Sequence, residues 1–584
     1  MPFQQEQEVQ PVVDIRCDRA GRLLHPSRQV WRAFDAIARR NVLAVTLTGL
    51  IALAIGLGLI AIRTPAPSIH DEFIYLLSAD TFTQGRLTNP THSQWEHFET
   101  FHVIQQPSYS SKYQPGQGLL LALGVLLTGQ PIIGACLGTA FAAAAICWML
   151  QGWVPRRWAF LGGLLVAMHE TIQICWSLSF WGGSLPMAGG ALVLGAMPRV
   201  MRRQRARDAA LLAGGAVILA STRPFEGLVL GICVSLVLAG WLMGQQRPPL
   251  QVIWLRIVLP AALLLATGVG GLCYYNLQVT GDPFLLPYQV HEQNYGYSPL
   301  FLWQKPAKMP EYRHETIRDF QTGWAIEAYD AQQSLRGWIV SKWDATRSLW
   351  NFFVGRVLSV SLLMLPLLLG DRRLRFAWFA LAVFFAAEMT VPWAFPHYFA
   401  PAAPLVILMI VEGLRRLHRI ARGDFRWVRF AVPAVVALHV ASIPLLFLRY
   451  YESEPSGWQW QRQWIASQLD KTEGQHLVIV RYSDRHNGNA EWVYNRADID
   501  DSKTVWAREM GPERDKQLVS YFSDRHIWLL ETDTIRPRLV PYGKAMEASN
   551  ESRLEKLSRS SSFDKSGVVR RSIDATGRLI DLGH

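Results

Sequence analysis

The chain is poor in charge. Of its 584 residues only 18% are Asp, Glu, Lys or Arg, against the ~25% usual in soluble domains. With apolar residues at 50%, that shortage excludes an ordinary soluble globule. Cysteine is scarce as well. Cys17, Cys136, Cys147, Cys175, Cys233 and Cys273 are scattered without CxxC spacing, so neither a disulfide framework nor a thiolate metal site is indicated. No fixed-period repeat occurs. The N-terminus lacks the pattern of a cleaved secretory signal, a short apolar core with a small-residue cleavage site. Its first apolar stretch, Val42 to Ile62, follows a polar tail and reads as an uncleaved span.

What is present is a series of long apolar stretches between residues 41 and 450. A bilayer core of ~30 Å is crossed by about 20 apolar residues, and the 23 Trp suit membrane interfaces. The mean hydropathy of +0.11 averages this portion with polar ends. The net charge of +12 is also local. Seven Arg lie in the tail 1–40, and further groups occur at Arg156–Arg157, Arg199 to Arg207, Arg247 with Arg256, Arg372 to Arg375 and Arg415 to Arg429. The short alternate gaps hold almost none. That asymmetry follows the positive-inside rule. It explains the high pI without a nucleic-acid face.

Orientation and apolarity agree on about eleven spans, near 42–62, 131–150, 158–176, 184–199, 209–222, 225–243, 253–275, 347–370, 375–392, 399–414 and 430–449. The tail 1–40 is then cytoplasmic and the C-terminus lies outside. Segments 63–130 and 276–346 become long outer loops. Gly116 to Leu127 is apolar but short, and is expected to lie in the outer interface. The predicted fold class is a polytopic α-helical membrane protein with a small C-terminal α/β extracytoplasmic domain at 451–545. Within that domain His476 to Tyr482 and His526 to Leu530 have strand patterns. Residues 546–584 are charged and Ser-rich, a composition of disorder.

Chemistry-bearing residues gather in the segments read as outer. Asp71 and Glu72 open a predicted helix just beyond the first span. Carboxylates there suit a solvated cap favoured by the helix dipole, and also suit a general base for a hydroxyl acceptor. Ser111-Lys112-Tyr113-Gln114-Pro115-Gly116 leads into an apolar helix. Its lysine fits either a snorkelling interfacial residue or a phosphate contact aided by the helix N-terminus. Arg223, between two spans, either pairs with Glu226 or serves a ligand. His397, in Pro396-His397-Tyr398, either anchors an aromatic interface or belongs to a site. Ionisable groups at membrane depth are functional candidates, and all four positions share one face in the predicted topology. Glu96, His97, Glu99 and His102 carry donors suited to a divalent cation, but their spacing matches no closed metal signature.

The outer Asp71-Glu72 with Tyr75, followed by Lys112-Tyr113-x-Pro115-Gly116 and an apolar helix, resembles the GT-C superfamily of membrane glycosyltransferases. The nearest types in pattern are protein O-mannosyltransferases and the lipid A aminoarabinose transferase. Gln114 stands where relatives often carry another residue of that motif. The resemblance implies a sugar donor linked to polyprenyl phosphate and an envelope acceptor (lipid, glycan or protein). It implies inverting transfer at the outer face of a bacterial inner membrane. Asp71 would be the base, and Glu72 its orienting partner or a metal ligand. Lys112 and Arg223 would hold the leaving phosphate, with Tyr113 and His397 as secondary contacts. No cofactor follows from the residues, and a divalent cation stays open. A transporter or flippase of lipid-linked glycans is the alternative. It is less well matched, because most clear acids lie at the outer edge, with Glu388 as one exception, and no repeat is present.

Overall fold

A computed structural model describes residues 25–245, 247–420, 430–534, 536–545 and two short strands at 572–573 and 579–580. The expectations for 1–24 and for the rest of 546–584 lie outside the described residues. The chain forms two compact units. The first comprises 1–90 and 102–455, the second 91–101 and 456–584.

The first unit is helical. Among the described residues five helices are long and apolar enough to cross a membrane: Asn41–Ile62, Pro131–Leu150, Pro224–Met243, Leu250–Thr280 and Ala431–Glu452. The chain is therefore an integral membrane protein. Two bent pairs, Arg156–Ala167 with Glu170–Ser177 and Leu335–Phe353 with Gly355–Leu369, raise the number to seven. The expected count of eleven is reached only by adding Ser184–Arg203, Ala206–Ala220, Arg375–Glu388 and Ala403–Ile420, which are shorter or carry charges near their ends. Pro131–Leu150 is rich in Ala and Gly, and 72% of its most apolar stretch is buried. The corresponding share in Leu250–Thr280 is 6%, so its side chains face outward.

One expected span is differently built. Instead of a single helix over 347–370, the chain turns by 91° between Leu335–Phe353 and Gly355–Leu369. Gly355 sits at the corner with φ of 60°, a left-handed conformation that glycine takes without steric cost. A hydropathy scan sees apolar residues on both sides and cannot register the corner.

Shorter helices start where the motifs predict. His70–Thr83 begins with Asp71 and Glu72 in its first turn. Gly116–Thr128 follows Pro115, is 13 residues long, and is too short to span. Between them β1 (Val103–Ile104) pairs antiparallel with β2 (Ser110–Ser111). That hairpin sets His102 and Lys112 side by side, with the Lys112 N–H donating to the His102 carbonyl at 3.1 Å.

The second unit holds a sheet of β3 (His476–Arg481), β4 (Thr504–Arg508), β5 (His526–Glu531) and β6 (Arg538–Pro541) in the order β4-β3-β5-β6. β3 runs parallel to both neighbours, and β6 pairs antiparallel with β5. β3 reads as an unbroken apolar run because both its faces are covered. Helices Trp458–Lys471 and Pro512–Tyr521 accompany the sheet. The core joins Ile465, Leu469, Val478, Trp492, Trp506 and Leu530. The stretch 91–101 belongs here: Phe98 and Phe101 are buried, and Arg508 Nε donates to the Glu99 carbonyl at 2.7 Å.

Candidate active site

Asp71 lies at the centre of a group of polar side chains in the first unit. The Tyr113 hydroxyl donates to Oδ1 at 2.7 Å, and the Trp181 indole N–H donates to Oδ2 at 3.1 Å. His102 Nε2 lies 3.5 Å from Oδ1. The Asp71 side chain retains 18% exposure. An ionised carboxylate has about four lone-pair positions, so these neighbours leave it room for one more partner. Burial, with the Lys112 charge next, holds the His102 imidazole well below its ordinary range. Tyr113 also stacks on Tyr75, with ring centroids 5.2 Å apart.

Glu72 turns elsewhere. Its carboxylate accepts the Ser68 N–H at 2.7 Å, the Ser68 hydroxyl at 3.1 Å and the Phe180 N–H at 2.9 Å. Burial pushes its pKa up, and the Ser68 and Phe180 bonds oppose that. Glu72 thus ties the entry to helix His70–Thr83 to the segment that presents Trp181.

Lys112 is 5% exposed. Its Nζ lies 3.6 Å from Glu292 Oε1 and over the rings of Tyr288 at 4.8 Å and Tyr113 at 5.5 Å. Burial pushes the ammonium below the ordinary lysine range, with Glu292 and Asp71 acting against that shift. Burial also acts on Glu292, but the His291 hydrogen bond and the Lys112 charge outweigh it and keep the carboxyl below its ordinary value. The Gly116 N–H, at the start of the following helix, donates to the Ser221 carbonyl at 2.8 Å. That bond draws the Lys112 motif against the turn before Arg223.

Arg223 precedes Pro224–Met243 and lies over the Tyr398 ring at 4.6 Å. Tyr75, Glu226 and Tyr113 are close enough to act on its charge. His397 is buried, its ring 4.1 Å from that of Trp181 and 4.4 Å from that of Tyr398. Burial, then the Arg223 charge, holds it well below its ordinary range. Asp71, Lys112, Tyr113, Arg223 and His397 are therefore brought together, through Trp181 and Tyr398.

The four residues weighed as cation ligands do not converge. Glu96 pairs with Arg514 at 2.9 Å and His97 Nδ1 bonds the Arg508 carbonyl at 2.8 Å. Glu96, His97 and Glu99 belong to the second unit, whereas His102 faces Asp71 in the first. Among the described residues no group of three or more His, Cys, Asp or Glu is arranged to hold a metal ion.

Sequence reasoning missed Trp181, Tyr288, His291 and Glu292. Trp181 sits in a six-residue connection before Ser184–Arg203 (residues 178–183) that carries no charged side chain. Tyr288, His291 and Glu292 share the short helix Pro287–Tyr295. Its adjacent His and Glu, within a loop expected to lie beside the site, were the one available signal.

No protein-family profile matches the chain, and no curated protein matches it. Among solved structures it is similar to ArnT from Cupriavidus metallidurans in the apo state, at 11% identity over 83% of this chain and 92% of that one, with a TM-score of 0.48. The same protein bound to undecaprenyl phosphate gives 13% identity, 83% and 92% coverage, and a TM-score of 0.47. The Archaeoglobus fulgidus oligosaccharyltransferase tethered with an acceptor peptide gives 11% identity, 77% coverage of this chain and a TM-score of 0.41. The chain spans 63% of the length of that oligosaccharyltransferase.

Proposed function

We propose that this chain is a membrane glycosyltransferase that moves a sugar from a polyprenyl-phosphate donor to an envelope acceptor, with inversion. The observation that carries this reading is the environment of Asp71. The carboxylate is oriented by Tyr113 and Trp181 and retains exposure near Lys112, with Arg223 linked to the group through Tyr398 and Tyr113. Transfer from a lipid phosphate needs a base for the attacking hydroxyl and positive charge for the leaving phosphate, and no acid. Asp71 takes the acceptor proton as its oxygen attacks the anomeric carbon. The bond to the phosphate oxygen breaks, and Lys112 and Arg223 hold the departing lipid phosphate. Glu292 pairs with Lys112, and the donor phosphate takes its place. Glu72 acts at one remove, by setting the position of Trp181.

The same reading covers topology. All site residues lie in segments 63–130, 178–183, 221–226, 276–346 and 389–402; the three short ones hold Arg223 as their one basic residue, 63–130 holds three and 276–346 holds six. The Arg-rich connections associate with one another instead: Arg156 donates to the Arg39 carbonyl at 3.0 Å, Arg202 to the Gly152 carbonyl at 3.1 Å, and Arg416 pairs with Asp371. This separation supports eleven spans, a cytoplasmic N-terminus, an outer catalytic face and residence in a bacterial inner membrane.

The test is product analysis. Purified protein is incubated with a polyprenyl-phosphate sugar and an envelope extract, and new glycan mass is sought by mass spectrometry. Transfer by the wild type, and its loss in a normally expressed Asp71→Asn variant, is the expected result. Movement of the donor lipid across vesicles without any covalent change would replace the reading with that of a flippase.

A further inference from the structure

Two helices that approach the Asp71 site at one end carry different chemistry at the other. Trp181 precedes Ser184–Arg203, and His397 precedes Ala403–Ile420. At about 1.5 Å per residue their far ends lie roughly 27–30 Å away, the thickness of a bilayer core. There Arg202, Arg415, Arg416 and Arg419 meet Arg373 around a cavity of about 350 Å³. Its acidic lining residues are Asp371 and Glu412, so five guanidinium groups against two carboxylates leave a formal charge of +3.

The carboxylates are already engaged. Arg415 binds Glu412 at 2.7 Å, while Arg416 pairs with Asp371 and donates to the Leu367 carbonyl at 2.7 Å. Among the described residues Arg202, Arg373 and Arg419 have no ion-pair partner. Among the described residues the buried Arg416 Nε has no acceptor. Like charges held together repel unless an anion lies between them. Guanidinium forks match phosphate oxygens two at a time, and basic pockets between membrane helices suit anionic head groups. Trp153 and Leu374 add apolar wall to the same cavity.

We propose that this cavity binds a phosphate-bearing anion carrying at least two negative charges, gripped by Arg202, Arg373 and Arg419. The site is separate from the Asp71 group and stands whether or not that group transfers sugar. The phosphate comes either from an anionic lipid head group in the adjoining leaflet or from a soluble phosphate.

The full chain in phosphatidylcholine nanodiscs tests this. Its unfolding midpoint is followed against added inorganic pyrophosphate, and separately against replacement of part of the lipid by cardiolipin. An R202Q/R373Q/R419Q variant is expected to bind about tenfold more weakly or worse, the loss set by removed charge-assisted hydrogen bonds. Arg373→Gln alone, at an exposed side chain, serves if the triple variant does not fold. Arg156→Gln, exposed and outside the cavity, is expected to respond like the wild type. A pyrophosphate response weakened in the cavity variants assigns a soluble phosphate. A cardiolipin response weakened in them, without one to pyrophosphate, assigns the lipid. Absence of both responses, or equal responses in cavity variants and wild type, overturns the proposal.

Discussion

Trp181 donates its indole N–H to Asp71 Oδ2 at 3.1 Å across 110 residues of sequence. Tyr113 reaches Oδ1 of the same carboxylate from 42 residues away. Two donors from separate segments therefore fix the plane of the carboxylate. The direction left open is where an acceptor hydroxyl can approach.

Tyr113→Phe removes one of those donors and keeps the ring stacked on Tyr75. Turnover is expected to fall about tenfold, the effect of one lost hydrogen bond to a charged group. The unfolding midpoint should barely move. Steady-state kinetics beside a thermal melt checks this, and a large loss of stability with unchanged turnover contradicts it.

Lys112 gives a pH dependence with a definite sign. Burial lowers its pKa, so the ammonium form disappears at lower pH than in a free lysine. Phosphate binding needs that form. Donor affinity is then full on the acid side and declines as pH rises through the lowered pKa. Lys112→Arg stays charged throughout, and its profile should be flat. Titrating polyprenyl phosphate against both proteins at a series of pH values decides the matter; parallel profiles would remove Lys112 from the phosphate contact.

Glu72→Gln tests positioning. The carboxylate accepts from three donors on Ser68 and Phe180. A glutamine offers one acceptor and turns its NH₂ toward groups that also donate. The expected cost is about 1–3 kcal/mol of stability, read by denaturant unfolding. Turnover should slow as Trp181 shifts, and Glu72→Asp should restore less than the wild type.

Gly190→Ala probes the packing behind His397. An added Cβ would overlap the Pro401 carbonyl oxygen, so one backbone must move. A loss of about 1–3 kcal/mol is expected from this overpacking, with weaker donor binding because Pro401 follows the segment that carries His397 and Tyr398. Unaltered stability would show that the two backbones separate freely.

Asp71, Lys112 and Arg223 stand out in the sequence because each is an ionisable residue near an apolar run, where few such residues occur. The helix starts at His70 and Gly116 were readable too, since acids and a Pro-Gly turn mark them locally. Trp181 and Glu292 could not be found this way. Their role depends on which connections meet in space, and nothing in Ser179-Phe180-Trp181 or Pro287–Tyr295 encodes a distant partner. Glu72 resembled Asp71 in sequence, yet one helical residue of offset turns it by about 100° and gives it to Ser68 and Phe180. The 91° corner at Gly355 was hidden for a related reason: apolarity continues through it unchanged.

The small unit is assembled from 91–101 and 456–584, so the chain passes between the two units at three points. A stop after residue 455 would not delete a domain. It would leave Phe98 and Phe101, each 2% exposed in the intact protein, without their covering in the loop that goes on to His102 and Lys112. It would also remove Arg508 and Arg514, which bind the Glu99 carbonyl and Glu96. Loss of activity on such truncation would be no measure of what the unit does. Exchanging it between related proteins requires both stretches to move together.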